Sequence, residues 1–288
     1  MPALQTVAYD RKKIRVEPGT LLLQLCLIIV AMIQLFPLVW LFLFSFKNNA
    51  ELFGGNVLGL PKVWRWENYT SLFKAGKLGL YFFNSLAVTF VTIALTAFLA
   101  TMASYALSRM KWKWSKLTFT VFLLGLMIPI HAALLPIFLI LKNIGLLNTH
   151  LALILPYTGF GLSMAIMIVV SFFDGLPREL EESAFIDGSG IYRTFFSIML
   201  PLVTPAIATV AILTYLSAWN ELMFAITFVS KEEFKTLTVG IMSMAGQHST
   251  SWGPIGAGLF VSTLPSIVLY LLMGAQVERS LTAGAVKG

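Results

Sequence analysis

Six apolar stretches constrain this chain more than any other feature: Leu21 to Phe46, Asn84 to Leu107, Leu117 to Leu141, Leu151 to Phe173, Val203 to Val229 and Ile255 to Ala275. A hydrocarbon core of roughly 30 Å takes about 20 helical residues to cross. No water reaches the backbone there, so each stretch must close its own hydrogen bonds as a helix. A β-barrel needs alternating segments of about ten residues, whereas these runs are continuous. Hydrophobic residues make up 58% of the chain and charged residues 11%, which excludes a soluble domain of this length. The sequence predicts an all-α integral membrane protein with six transmembrane helices.

The expected division is an N-terminal segment 1–20, a six-helix domain 21–275 and a tail 276–288. Arg11, Lys12, Lys13 and Arg15 precede the first span, and Arg109, Lys111, Lys113 and Lys116 follow the second. Short basic segments beside spans stay in the cytoplasm, which puts both termini there. The connector Lys47 to Phe83 carries basic residues too, but it is longer, and its glycines and tryptophans suit an outer membrane interface. The first run is too long for the core of a cleaved signal peptide and is read as an anchor. A net charge of +7 is read as a topology signal, and Trp112 and Trp114 among the lysines as interfacial anchors rather than a nucleic-acid surface. Cys26 is the single cysteine, so no intrachain disulfide is available.

One long polar island, Phe173 to Pro205, interrupts the apolar pattern, with five acidic residues against two basic ones. Pro177 suits the first position of a helix, and Glu179, Glu181 and Glu182 follow where the helix dipole favours negative charge. A short helix to about Ile186 is expected, with Leu180 and Ala184 on one face and the acids elsewhere. Gly188, Ser189 and Gly190 break it, and a second helix carries Ile191, Phe195 and Ile198 to Pro201. A helix lying on lipid would present lysine and arginine; this one presents carboxylates, which favours docking to a protein.

Glu182-Ser183-Ala184, three residues to Gly188 and nine more to Ile198-Met199-Leu200-Pro201 resemble the EAA loop of permease subunits of binding-protein-dependent ATP-binding-cassette (ABC) importers. Ser183 and Ser189 depart from the usual alanines, exchanging one small residue for another. Trp219-Asn220-Glu221, Gly246-Gln247 with Trp252-Gly253, and the tail Leu281 to Gly288 are similar to the six-span second permease of the maltose-type carbohydrate branch. The resemblance implies a type I ABC importer permease fold with a cytoplasmic coupling helix, in a bacterial inner membrane. It implies a second permease, two cytoplasmic ATPase subunits and an external sugar-binding protein as partners. Leu180, Glu182, Ser183, Ala184, Phe185, Asp187 and Gly188 would dock the ATPase. Gln247, His248, Ser249 and Thr250 would reach toward the binding protein.

No phosphate loop, zinc-ligand spacing or nucleophile with a base is readable in the chain, so ATP and magnesium are expected to be used by the ATPase partner and no cofactor by this chain. Glu221 is the one acidic residue placed within a span; it either lines the path or braces the partner permease. Trp219 and Asn220 share that ambiguity, and as helix neighbours about 100° apart they cannot both face a pore. His131, between Pro129 and Pro136, is read as an interhelical hydrogen-bonding residue rather than a ligand. With no basic residue placed firmly in the spans, a neutral sugar is favoured over a phosphate-bearing cargo, and another polar solute such as a glycerol phosphate or polyol is the alternative. An ion-coupled secondary transporter would need more intramembrane ionisable groups.

Overall fold

The computed structural model describes residues 18–74, 77–246 and 250–285. Long apolar runs propagate helix once nucleated, and the first forms α1 (Pro18–Phe44), which continues through Pro37. The connector after it folds into α2 (Asn49–Phe53), capped by the Asn48 side chain on Glu51 N, and α3 (Glu67–Lys74). The second apolar run is α4 (Leu78–Ser108), and the third is α5 (Ser115–Gly125), a 3-10 turn and α6 (Leu134–Asn143). The fourth is α7 (Leu151–Asp174).

The polar island becomes α8 (Glu179–Ile186), α9 (Ile191–Thr194), a π segment Phe195–Met199 and α10 (Leu200–Leu202). Then come α11 (Thr204–Trp219), α12 (Met223–Phe228), α13 (Leu237–Met242) and α14 (Trp252–Ala285), whose backbone stays helical into the expected tail. Four helices, α1, α4, α7 and α14, are each long and apolar enough to cross a membrane. Two further crossings are bent: α5 meets the Ile130–Asn143 segment at 91°, and Ile191–Leu202 meets α11 at 71°. The chain is an integral membrane protein.

The structure moves two expected boundaries. The second span starts at Leu78 instead of Asn84, because Asn84 does not need water: its amide donates to Glu233 O at 2.9 Å and Lys235 O at 3.0 Å. The fifth helix ends at Trp219 instead of continuing to Val229, because the chain turns at Asn220 to Leu222 and restarts as α12. The connector expected after it as a loop contains α13, whose Leu237 and Ile241 are buried. There Gly240 lies against Tyr81, and an added Cβ would stand 2.1 Å from the ring.

α4 packs most extensively on α7. Its buried face is small and hydroxylated, with Ser85, Thr89, Thr92, Thr96, Ala100 and Ser104, which lets the backbones approach without large side chains between them. At the Ser108 end of α4, a core of Tyr105, Ile166, Phe173, Phe195 and Met199 joins α4, α7 and the π segment. Toward the Leu78 end, Leu153, Tyr157, Phe224 and Phe228 form a second core and Leu72, Tyr81, Trp219 and Leu237 a third. α1 leaves its apolar side chains from Leu21 to Phe36 exposed, as suits a helix solvated by lipid.

Candidate functional site

At the Ser108 end, Arg109 directly follows α4 and its side chain is only 3% exposed. The sequence reading treated it as one more topology-setting cation; the structure makes it a junction. Nη2 donates to Phe173 O and, at 2.8 Å, to Leu176 O, two carbonyls at and just past the C-terminus of α7. A cation there meets the negative end of the helix dipole. Nη1 lies 3.3 Å from Glu181 Oε2 on α8. The planar guanidinium thus joins α4, α7 and α8 with a fixed fork that the flexible point charge of lysine cannot reproduce.

This junction sets which side of α8 turns inward. Glu181 is buried beside Ala184, whereas Leu180 is 37% exposed. Burial of one carboxylate is tolerated because Arg109 neutralises it, and the apolar residues are left outward. Glu182, Ser183, Phe185, Asp187 and Gly188 are exposed, as the docking reading needs, but Ala184 packs against its own chain. Gly188 closes the bend at φ 77, a conformation glycine adopts freely. Ile186 and Tyr192, 84% and 79% exposed on the two arms of the bend, were missed in the sequence. The available signal was large apolar side chains flanking a glycine turn in an otherwise acidic island.

Between α4, α5, α7 and α11 lies a cavity of about 430 Å³. Thr92, Pro129, Tyr157, Thr214, Ser217 and Glu221 line it among aliphatic side chains, and it sits where the third span bends between Gly125 and Ile130. Irregular backbone at membrane depth is tolerated where it borders such a cavity or is buried in protein. Glu221 is the one charged residue in the lining. Its carboxylate is engaged by its own chain, accepting from Phe224 N at 3.0 and 3.1 Å, Ala225 N at 3.2 Å and the Tyr157 hydroxyl at 2.7 Å. It closes the first turn of α12, and this is the physical reason the fifth helix breaks where it does.

The neighbouring candidates are not brought into that cavity. Trp219 is buried elsewhere, stacked on Tyr215 at 15° with Nε1 donating to Ser262 O at 3.0 Å. Asn220 is exposed and returns its amide to Leu216 O at 2.9 Å. His131 is exposed, with its ring edge toward Phe224 at 6.2 Å. No aromatic platform joins an amide here. Gln247, His248 and Ser249 lie outside the described residues; Thr250 is tied to α2 by Asn49 Nδ2, which donates to its carbonyl at 2.6 Å.

Toward the Leu78 end, two features escaped the sequence reading. Lys47 is fully buried and donates from Nζ to Asn56 O, Val57 O and Gly59 O at 2.8, 3.1 and 2.6 Å, folding the glycine-rich connector around it. Burial pushes its pKa down. Glu232 is bound by Lys235 and the Tyr81 hydroxyl, which hold its carboxyl below the usual range.

Broken spans around a largely apolar cavity that holds a few polar groups, with a helix pair braced beneath them, define a membrane transport subunit. The chain belongs to the family described as binding-protein-dependent transport system inner membrane component, matched over residues 97–282. The probable ABC transporter permease protein YurM of Bacillus subtilis is 38% identical over 253 residues, covering 88% of this chain and 84% of that protein. The trehalose/maltose transport system permease protein MalG of Thermococcus litoralis is 33% identical over 265 residues, covering 91% and 94%. A bacterial ABC transporter involved in import of the acidic polysaccharide alginate shares the fold, with a TM-score of 0.79 at 21% identity, covering 94% of this chain and 99% of that one.

Proposed function

We propose that this chain is one permease subunit of an ATP-driven sugar or oligosaccharide importer, forming half of the translocation path with a second permease. The Ser108 end faces the cytoplasm, where the outward face of α8 docks one of two ATPase subunits. ATP is hydrolysed there and not in this chain, which lies in a bacterial inner membrane with both termini inside. Gln247, His248, Ser249 and Thr250 would contact the sugar-binding protein. The observation that carries this reading is the outward presentation of Leu180, Glu182, Phe185 and Ile186 on a short helix braced from behind. Sugar cargo is supported by relatives named for trehalose/maltose and arabinooligosaccharides. It is also supported by a cavity whose single charge is Glu221, which would repel a phosphate-bearing solute.

The test is reconstitution in liposomes with the partner permease, ATPase and binding protein, scoring ATP-dependent uptake of a panel of neutral mono- and oligosaccharides. Uptake is expected with ATP and not with an ion gradient. Gradient-driven uptake by this chain alone would sink the importer reading, and a complex and uptake unaffected by Glu182→Lys would sink the docking assignment.

A further inference from the structure

We infer that Arg109 is a positioning residue for coupling: with Glu181 it forms a strut that carries movement of α8 to α4 and α7 together. This rests on the importer reading and goes beyond docking, because neither residue is on the outward face. Arg109 holds three acceptors from two other elements: the carbonyls of Phe173 and Leu176 where α7 ends, and the carboxylate of Glu181 in the first turn of α8. The cation lies at the negative end of one helix and the anion at the positive end of another, so both dipoles favour the arrangement. The guanidinium fork fixes angles as well as distances, and with side chains 3% and 11% exposed the pair is shielded from solvent and salt.

The helices it joins are suited to move as one. α4 and α7 are the most extensively packed pair in the chain, and α4 lines the cavity through Thr92 while α7 lines it through Tyr157. A tilt of α8 therefore reaches two walls of the cavity through one side chain. Tyr105, packed against Phe173 and Phe195 at 5.7 and 5.0 Å, backs the same junction with rigid aromatic contact. Arg109 Nε is buried and finds no partner among the described residues.

The experiment measures solute imported per ATP hydrolysed in the fully reconstituted transporter, with Glu181→Gln and, as a milder change, Arg109→Lys. Both variants are expected to co-purify with the ATPase and keep ATP turnover within about twofold, while import per ATP falls tenfold or more. The double variant Arg109→Lys with Glu181→Gln is expected to be no worse than the worse single change, because both act on one interaction. An unchanged import-to-ATP ratio in both single variants overturns the strut, whether or not assembly falls. A wild-type complex with no ATP-dependent uptake overturns the importer reading itself and is seen before any variant is made.

Discussion

Glu181 and Glu221 are both buried or half-buried carboxylates held by their own chain, yet they are held by different means. Glu181 faces a full countercharge, Arg109, at the foot of the bundle. Glu221, lining the cavity between α4, α5, α7 and α11, has no cation among its hydrogen-bond partners; two backbone N–H groups and the Tyr157 hydroxyl satisfy it. The first arrangement joins separate elements through a pair of formal charges. The second uses dipoles and mainly shapes the chain around it, closing α12 and ending α11. The lesson concerns what fails when a partner is lost: an unpaired buried ion in one case, orphaned but neutral donors in the other.

That difference is open to measurement by thermal unfolding of the solubilised protein. The largest effect is expected for Arg109→Ala, which leaves Glu181 buried without a countercharge and the last α7 carbonyls unpaired. A loss of about 3–5 kcal/mol follows. Converting both partners to apolar residues, Arg109→Met with Glu181→Leu, should be less damaging than Arg109→Ala alone. If the double change is the worse of the two, an unpaired charge is not the cause.

At the second site Glu221→Ala removes the acceptor of two N–H groups and a hydroxyl, for an expected loss of about 1–3 kcal/mol. Tyr157→Phe removes one donor and is expected to cost about 1 kcal/mol. A loss from Glu221→Ala as large as that from Arg109→Ala would erase the distinction between charge and dipole support.

Glu232 supplies the small end of the scale. Its side chain is half exposed, 4.0 Å from Lys77 and bonded to Lys235 and Tyr81. Its carboxyl is held below its usual range, so the stability it contributes is present above the unfolded carboxylate pKa and is lost as pH falls through the lower folded value. With the Glu232 side of the pair half exposed to solvent, the contribution after screening is about 1 kcal/mol or less. Glu232→Gln is expected to flatten the acid limb of the stability profile slightly and leave neutral stability nearly unchanged; a large neutral loss would make Glu232 a third buried-type carboxylate.

Much of this architecture is legible along the chain. The apolar runs mark the crossings, and the acidic island with its Gly188 turn marks the helix pair at the foot of the bundle. Pro129 stands where the third crossing breaks, but nothing local encodes its 91° bend. Leu180 and Ala184 share a face apart from the acids, but which side of α8 turns inward was not legible, because periodicity cannot see a guanidinium waiting at the end of another helix. Trp219-Asn220-Glu221 read as a single polar cluster, but a helix break sends its three side chains to three different environments.

The sequence by itself determined that the chain crosses a bilayer as helices, and where its acidic helix pair lies, because backbone hydrogen bonding and hydrophobicity are settled within contiguous residues. Only the tertiary structure decided which acid turns inward, what Arg109 holds and why the fifth helix stops. Arg109 meets Phe173 and Tyr157 meets Glu221 across 64 residues each. A pairing over that separation is set by how helices pack, and no local pattern encodes it.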